Sequence, residues 1–459
     1  MSTKLHIIIL ISFFAGLCAN AQHMATGNYH SLSVCSDSTV RAWGYNSWGQ
    51  LGNTSNTNSY TPVQVSLLSG VTDVAAGEEN HSLALKSDGT VWAWGYNGFG
   101  ELGTGNKIAS NIPLQITALS GVKAIAAGGF HSMALKTDGT VWAWGYNYYG
   151  QLGNGSNTDS DVPVQVSGLT DVIAIATGED HCMALRNDST VWTWGWNATG
   201  QLGIGNNTDQ KIPVHVGALS GVKAVSGGWQ HSLALKNDGT VFAWGFNGYG
   251  QLGIGNNTDK NLPVPLTSLA GITSIAGASV SSMALKDDGS VWSWGYNLSG
   301  QLGDGNNTAS NIPVQTTISG VATIAGGWNH SLALKNDGTV WAWGSNDYGQ
   351  LGIGNNQNSN IPVKVTSLCT VSTSAESFVT AEPSFAVFPN PSSGVFTISG
   401  LRLPVSNIRI YNVLGELIYS AEINSGKPEI DMQKQPKGTY FYLLLNGSKI
   451  QGNGKIVIE

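Results

Sequence analysis

The stretch HSLALKNDGTVFAWGFNGYGQLG, residues 231 to 253, is one of seven near-copies that begin at His30, His81, His131, His181, His231, Ser281 and His330. The period is 50 residues, with slips of one at the second and seventh copies. Self-similarity at that spacing calls for an array of supersecondary units, each burying its faces against its neighbours. Four short strand signals recur per period, shown by PLQI (113 to 116), VKAIAAG (122 to 128), HSMALK (131 to 136) and VWAWGYN (141 to 147). No helical period competes with them.

Asp-Gly separates the last two strands in five copies and Asp-Ser in copies one and four, and Asp-Gly accepts the positive φ of a tight hairpin. Leu83 and Leu85 alternate with Ser82 and Ala84, and Trp92 and Trp94 with Val91 and Ala93, so neither side of the sheet is strongly polar. Such sheets need cover on both faces. The predicted fold is all-β, a seven-bladed β-propeller of four-stranded sheets over residues 22–368. The first copy lacks a PLQI-type strand ahead of HMATG (23 to 27), and IPVKV (361 to 365) is left over at the end, which predicts that IPVKV completes the first blade.

The pattern GxxHSLALxxDGxVWAWGxNxxGQLG resembles the regulator of chromosome condensation repeat, across roughly residues 24 to 368. The resemblance implies a seven-bladed propeller. It leaves function open, since the same scaffold serves nucleotide exchange on a small GTPase and secreted bacterial inhibition of β-lactamases.

Two flanking segments differ from the repeats. Residues 1–21 read as a signal peptide: Lys4, the apolar run IIILISFFAGL, then Ala19-Asn20-Ala21 before Gln22. A lipoprotein reading at Cys18 is disfavoured by the bulky Leu17 before it. After a polar linker at 369–382, residues 383–459 alternate as short strands, predicting a small immunoglobulin-like β-sandwich. Their Pro-Asn-Pro, Tyr-Asn-Val-Leu-Gly and Pro-Lys-Gly-x-Tyr elements resemble the C-terminal sorting domain of type IX secretion cargo. That resemblance implies the type IX machinery as a partner, export to the cell surface or medium, and removal of the domain.

A net charge of −7 with only 11% charged residues is a poor match for a phosphate backbone, so no nucleic-acid partner is expected. The 11-residue apolar run is too short to span a bilayer, so no transmembrane segment is expected in the mature protein. The repeated histidines occupy one equivalent position per blade and read as structural, bonding a neighbouring backbone group. The Asp of each turn reads as a local turn bond, and Lys86, Lys136, Arg186, Lys236, Lys286 and Lys335 as a solvated rim neutralised by the Asp two residues on. GQLGIGNNTD (250 to 259) lacks the Lys-Ser/Thr of a phosphate loop and the acidic spacing of a calcium loop, and no cofactor, metal site or catalytic residue is expected.

Attention falls on positions that break the sevenfold rule. The tips before each His and the long loops after Trp-Gly are placed together on an upper face. Blade six has lost its His, at Ser281, between Trp229 with Tyr249 on one side and Trp328 with Tyr348 on the other. These five residues are the expected ligand-binding set, a notch between aromatic walls that receives an extracellular protein or glycan. The expected function is a non-enzymatic exported binding propeller. The alternatives are a hydrolase acting on glycans or peptides, with two carboxylates from different blades meeting in space, and, less favoured, a guanine-nucleotide exchange factor. Cys35 and Cys369 approach the same lower edge, and whether they bridge depends on the chain bending inward after Leu368.

Overall fold

Each repeat folds because its second strand carries small or aliphatic side chains on both sides, leaving no face that tolerates water. In the computed structural model, which describes residues 21–369, 386–399, 407–412, 417–423, 429–446 and 449–459, seven four-stranded antiparallel sheets follow one another along the chain. The second comprises Val71–Ala76, His81–Lys86, Val91–Gly95 and Ser110–Gln115, in that order from inside to outside. First strands of successive blades pack on one another, and that of blade one also packs on that of blade seven, closing the ring. The signal-peptide assignment (Ala21 apart), Cys18 and all of the linker but Cys369 lie outside the described residues.

Seven apolar clusters fill the ring, one per blade interface. Between blades two and three, Leu83, Leu85, Val91 and Ala93 meet Ile125, Ala134 and Trp144. Ala84 and Trp94, on the other side of the same strands, belong to the interface with blade one. A blade therefore has two core faces, as the sequence pattern requires.

The expected strand-exchange closure does not occur. The strand Ser59–Gln64 pairs with Val40–Gly44 inside blade one, and Ser359–Lys364 stays in blade seven beside Val340–Gly344. Every blade is one contiguous stretch of chain. The cause is the long loop after Trp-Gly, which is stapled back on itself: Asn97 donates to the Asn106 and Ile108 carbonyls while its Oδ1 accepts from Leu102 N. That loop is an internal hairpin connection, and the short segment after Gln115 makes the crossing to the next blade. A disulfide between Cys35 of blade one and Cys369, which follows the last strand of blade seven, adds to the ordinary joint there, where Ser31 meets His330.

In the turns, the Gly of each Asp-Gly pair has positive φ, and Ser38 and Ser189 take the same conformation at φ 60° and 64°. Lys86 N donates to Thr90 O and Gly89 N to Lys86 O, a three-residue loop ending in a left-handed residue. The Lys heads are not simply solvated. Each lies 5.5 to 5.9 Å from the aromatic ring centroid of the first residue of its Trp-x-Trp or Phe-x-Trp pair, as does Arg186 over Trp192. Cation–π contact holds each head over its ring, and Lys86 also reaches Asp88 at 4.0 Å and Arg186 reaches Asp171 and Asp188 at 3.7 and 3.8 Å.

The C-terminal unit, Ser372–Glu459, is separate. A three-stranded and a four-stranded sheet enclose a core that includes Phe396, Ile408, Tyr442 and Ile456, the predicted small sandwich. The Tyr440 hydroxyl donates to the Pro436 carbonyl at 2.7 Å, which gives the Pro-Lys-Gly-x-Tyr element a corner-forming role.

Candidate functional site at the upper mouth of the ring

The repeated histidines define the floor beneath the site. Each Nε2 lies 2.8 to 3.0 Å from the Ser Oγ, or the Cys182 Sγ, of the following blade. That Ser donates onward to the carbonyl of the Gln or Glu within the preceding blade's long loop, as Ser82 does to Gln50 O at 2.9 Å. The hydroxyl proton is thereby committed, so His Nε2 carries the hydrogen. The same carbonyl accepts the indole N–H of the buried Trp, at 2.8 Å from Trp94. Burial lowers the pKa of His30, His81, His181, His231 and His330 to about 3 and of His131 to about 4, so all six are neutral. They are structural, and their partner is a side chain of the next blade rather than the expected backbone group. Cys182 takes the Ser place and is buried, with burial raising its thiol pKa.

Blade six departs from this unit in two coupled places. In blades one to five a glycine precedes the tip, and a Cβ there would fall 2.1 to 2.4 Å from the His Cε1. In blade six the glycine is Ala278 and the His is Ser281, both buried. A methyl has replaced a ring. Ser281, only 1% exposed, therefore lies under the surface and does not line a notch.

The upper-face placement is seen in backbone bonds from each long loop to its tip, as from Tyr146 N to Phe130 O at 2.8 Å. At the mouth the tips form a belt. Gly129 N donates to Glu179 O, Glu179 N to Trp229 O, Trp229 N to Ser279 O, Ser279 N to Gly327 O and Trp328 N to Gly27 O. Asn28, Glu78, Gly129, Glu179, Trp229, Ser279 and Trp328 are the equivalent first tip residues of blades one to seven.

The expected aromatic walls do not stand apart. The half-buried rings of Trp229 and Trp328 meet at 5.7 Å between centroids, closing over blade six because Ser279 offers no bulk between them. Tyr249 is exposed and reaches this pair only through Phe246, packing at 5.0 Å on Tyr296. Tyr348 packs elsewhere, with Tyr29 at 4.9 Å and Tyr45 at 5.0 Å.

Opposite the indoles the mouth is acidic. Burial, then Glu79 and Asp180, push the Glu78 carboxyl up to about 8. Glu179 rises to about 9 through burial and then Glu78, Asp180 and Glu79. Asp180 rises to about 7 through burial, although Gln151 donates to it at 2.8 Å. Burial raises Glu79 as well. Carboxyls from blades two and four thus converge across Gly129, whose added Cβ would lie 2.9 Å from Glu179 Cγ. The sequence carried a signal for this concentration: the slip at the second copy is an extra residue between Gly77 and His81, and it adds a second glutamate at the mouth. Among the described residues no group of three His, Cys, Asp or Glu side chains is arranged to hold a metal ion, and no helix is long and apolar enough to cross a membrane.

Comparison with known proteins agrees with this architecture. Residues 37–85, 88–135, 138–185, 188–235, 238–285, 288–334 and 337–376 match the regulator of chromosome condensation (RCC1) repeat, and residues 386–459 match a secretion system C-terminal sorting domain. The ultraviolet-B receptor UVR8 of Arabidopsis thaliana is 35% identical over 104 residues, 22% of this chain and 23% of the receptor. Such alignments span between 2% and 24% of the curated relatives they match. The structure of human WBSCR16 is similar at a TM-score of 0.63 and 27% identity, over 69% of this chain and 87% of that one. Prp20p from Saccharomyces cerevisiae shares the fold at a TM-score of 0.64 and 23% identity, over 75% of this chain and 87% of that one. The sorting domain assigns the protein to type IX export, to the cell surface or the extracellular space. With seven repeat matches covering most of its length and the closed ring they build, this chain belongs to the regulator of chromosome condensation repeat family.

Proposed function

We propose that this protein is an exported, non-enzymatic propeller that binds a protein or glycan partner through its upper face. One observation carries the reading. Around each interface the His, Ser, Trp and Gln positions repeat with few changes, whereas the tip position one residue beyond the conserved glycine reads Asn28, Glu78, Gly129, Glu179, Trp229, Ser279 and Trp328. A scaffold that keeps its joints and varies its rim suits recognition, and Trp is a favoured interface anchor. Residues 1–21 as a cleaved signal peptide fit the same export route.

The test is affinity capture from the surrounding medium or host cells with the purified full chain, followed by Trp229→Ala and Trp328→Ala. Each should weaken the captured complex by roughly 2 kcal/mol, as central anchors do. Unchanged affinity in both folded variants, and in matched changes at Phe130 and Tyr149, would defeat the upper-face assignment.

A second reading, glycan hydrolysis, is favoured by the meeting of Glu78 and Glu179, since a carboxyl with raised pKa can act as a general acid. Hydrolysis of a polysaccharide panel by the wild type, abolished in Glu78→Gln or Glu179→Gln, would replace the binding reading.

A further inference from the structure

We propose that the upper mouth is a receptor for the guanidinium group of an arginine side chain presented by a protein partner. The proposal rests on the upper-face binding reading and names the chemistry of its partner.

The mouth has two halves joined by the backbone belt. Glu78, Glu79 and Glu179 lie on one side and the Trp229–Trp328 pair on the other, with Glu179 N bonded directly to Trp229 O at 3.3 Å. Carboxylate beside indole is the environment that a planar delocalised cation satisfies twice, by paired hydrogen bonds and by lying on an aromatic face. Acidic side chains alone would not single out a ligand. The non-acidic members of the ring supply the further observation. Asn28 is 7% exposed, yet its Oδ1 finds no hydrogen-bond partner within the protein. Glu78 Oε2 is likewise buried and unpartnered.

The residues that bear these atoms hold equivalent tip positions in their blades. Trp229 meets Trp328 across blade six, and Glu78 and Glu179 influence each other across blade three. Asn28 Oδ1 and Glu78 Oε2 lack donors, and the buried Trp229 Nε1 lacks an acceptor. A guanidinium carries five N–H donors that suit the first two, and a carbonyl of the peptide that presents it suits the indole N–H. Charge points the same way: carboxyls that burial and one another hold protonated near neutral pH ionise beside a cation, whereas an anionic or neutral ligand leaves them protonated. Arginine is preferred to lysine because its flat face matches the indole pair and its fork matches a carboxylate.

The experiment uses the full chain and the peptide acetyl-Gly-Gly-Arg-Gly-Gly-amide, with citrulline and lysine versions, monitored through the indole N–H signals by NMR. The arginine peptide should shift the Trp229 signal and bind at least tenfold more tightly than the citrulline peptide, which has the same shape without the charge. The lysine peptide should fall between them. The double change Glu78→Gln with Glu179→Gln keeps the side-chain volume and should remove the tenfold preference. Free arginine should bind more weakly than the peptide if the source is a protein partner. Equal binding of the arginine and citrulline peptides, no shift with either up to about 10 mM, or a preference that survives the double glutamine variant would each overturn the proposal. A captured partner that still depends on Trp229 but ignores the glutamine changes would leave the upper-face reading standing and remove only the arginine assignment.

Discussion

Gly228 and His231 face a joint between blades, while Trp229, between them in the chain, faces the mouth. The joint is nearly the same in every blade: Cys182 and Glu101 are single replacements, and the one loss of the ring comes with a second change, His becoming Ser281 where Gly becomes Ala278. The mouth ring holds five residue types in seven places with no such paired change. At the joint the His ring fills a space bounded by the neighbouring blade, so its loss calls for a second change. At the mouth the side chains answer to one another, as Trp229 does to Trp328, and to what enters from outside.

The comparison can be broken most forcefully where the joint has support that the repeat does not provide. The Cys35–Cys369 bond spans a sequence separation of 334 residues, and its removal by Cys35→Ser with Cys369→Ser should cost about 5 kcal/mol in urea denaturation. Protein comprising residues 22–459 should show one free thiol, Cys182, when denatured without reductant. A loss near zero would mean that blades seven and one are held fully by the ordinary joint.

The paired change itself is the next test. Gly77→Ala places a methyl 2.1 Å from the His81 ring, with the nearest backbone atom, Gly128 O, at 2.8 Å, and should cost about 3 kcal/mol or more, with His81→Ser alone costing about 2. The pair together should recover at least half of the summed loss, as a double-mutant cycle would show. Simple additivity would mean that Ala278 and Ser281 changed independently.

Glu101 sharpens the comparison from the side of charge. It stands where the other blades have Gln, is buried, and its carboxyl is raised to about 7 by burial from a usual 4.5, with its bonds from Phe99 and Gly100 opposing. Below pH 4.5 it is protonated both folded and unfolded and costs nothing. Between 4.5 and 7 the unfolded state releases its proton first, so folding loses stability as pH rises, and above 7 the penalty is complete. Glu101→Gln should therefore stabilise the ring by about 3 kcal/mol at pH 8 and not at all at pH 4. The raised mouth carboxyls add to the same trend, extending it toward pH 9. A gain independent of pH would show that shape, not charge, distinguishes Glu101 from Gln.

The smallest effect concerns turns that belong to neither ring. Ser38→Gly and Ser189→Gly should each add about 0.5–1 kcal/mol, because both serines hold a left-handed conformation that glycine adopts freely.

The fold was legible because period and alternation are properties of single repeats. The blade boundary was not: four strands in circular order can be cut at any point, and only the Asn97 staple shows that the long loop stays within a blade. The tip tryptophans stood out in the sequence, but their direct contact did not, and Ser281, expected at the surface, is buried. The methyl that fills the space of the missing ring sits three residues earlier, at Ala278, and the two changes have meaning only together. Packing of Lys over Trp was likewise invisible, since residues six apart, such as Lys86 and Trp92, meet only once the hairpin folds.

Contiguous blades carry a further consequence. With no strand borrowed across the seam, the first and last repeats can each complete their own sheet without waiting for the other, and the covalent link between them needs an oxidant. A chain in the reducing cytoplasm has every sheet available but no clasp. Fastening is deferred until the protein has left the compartment that made it, so the permanence of the ring is itself a product of export.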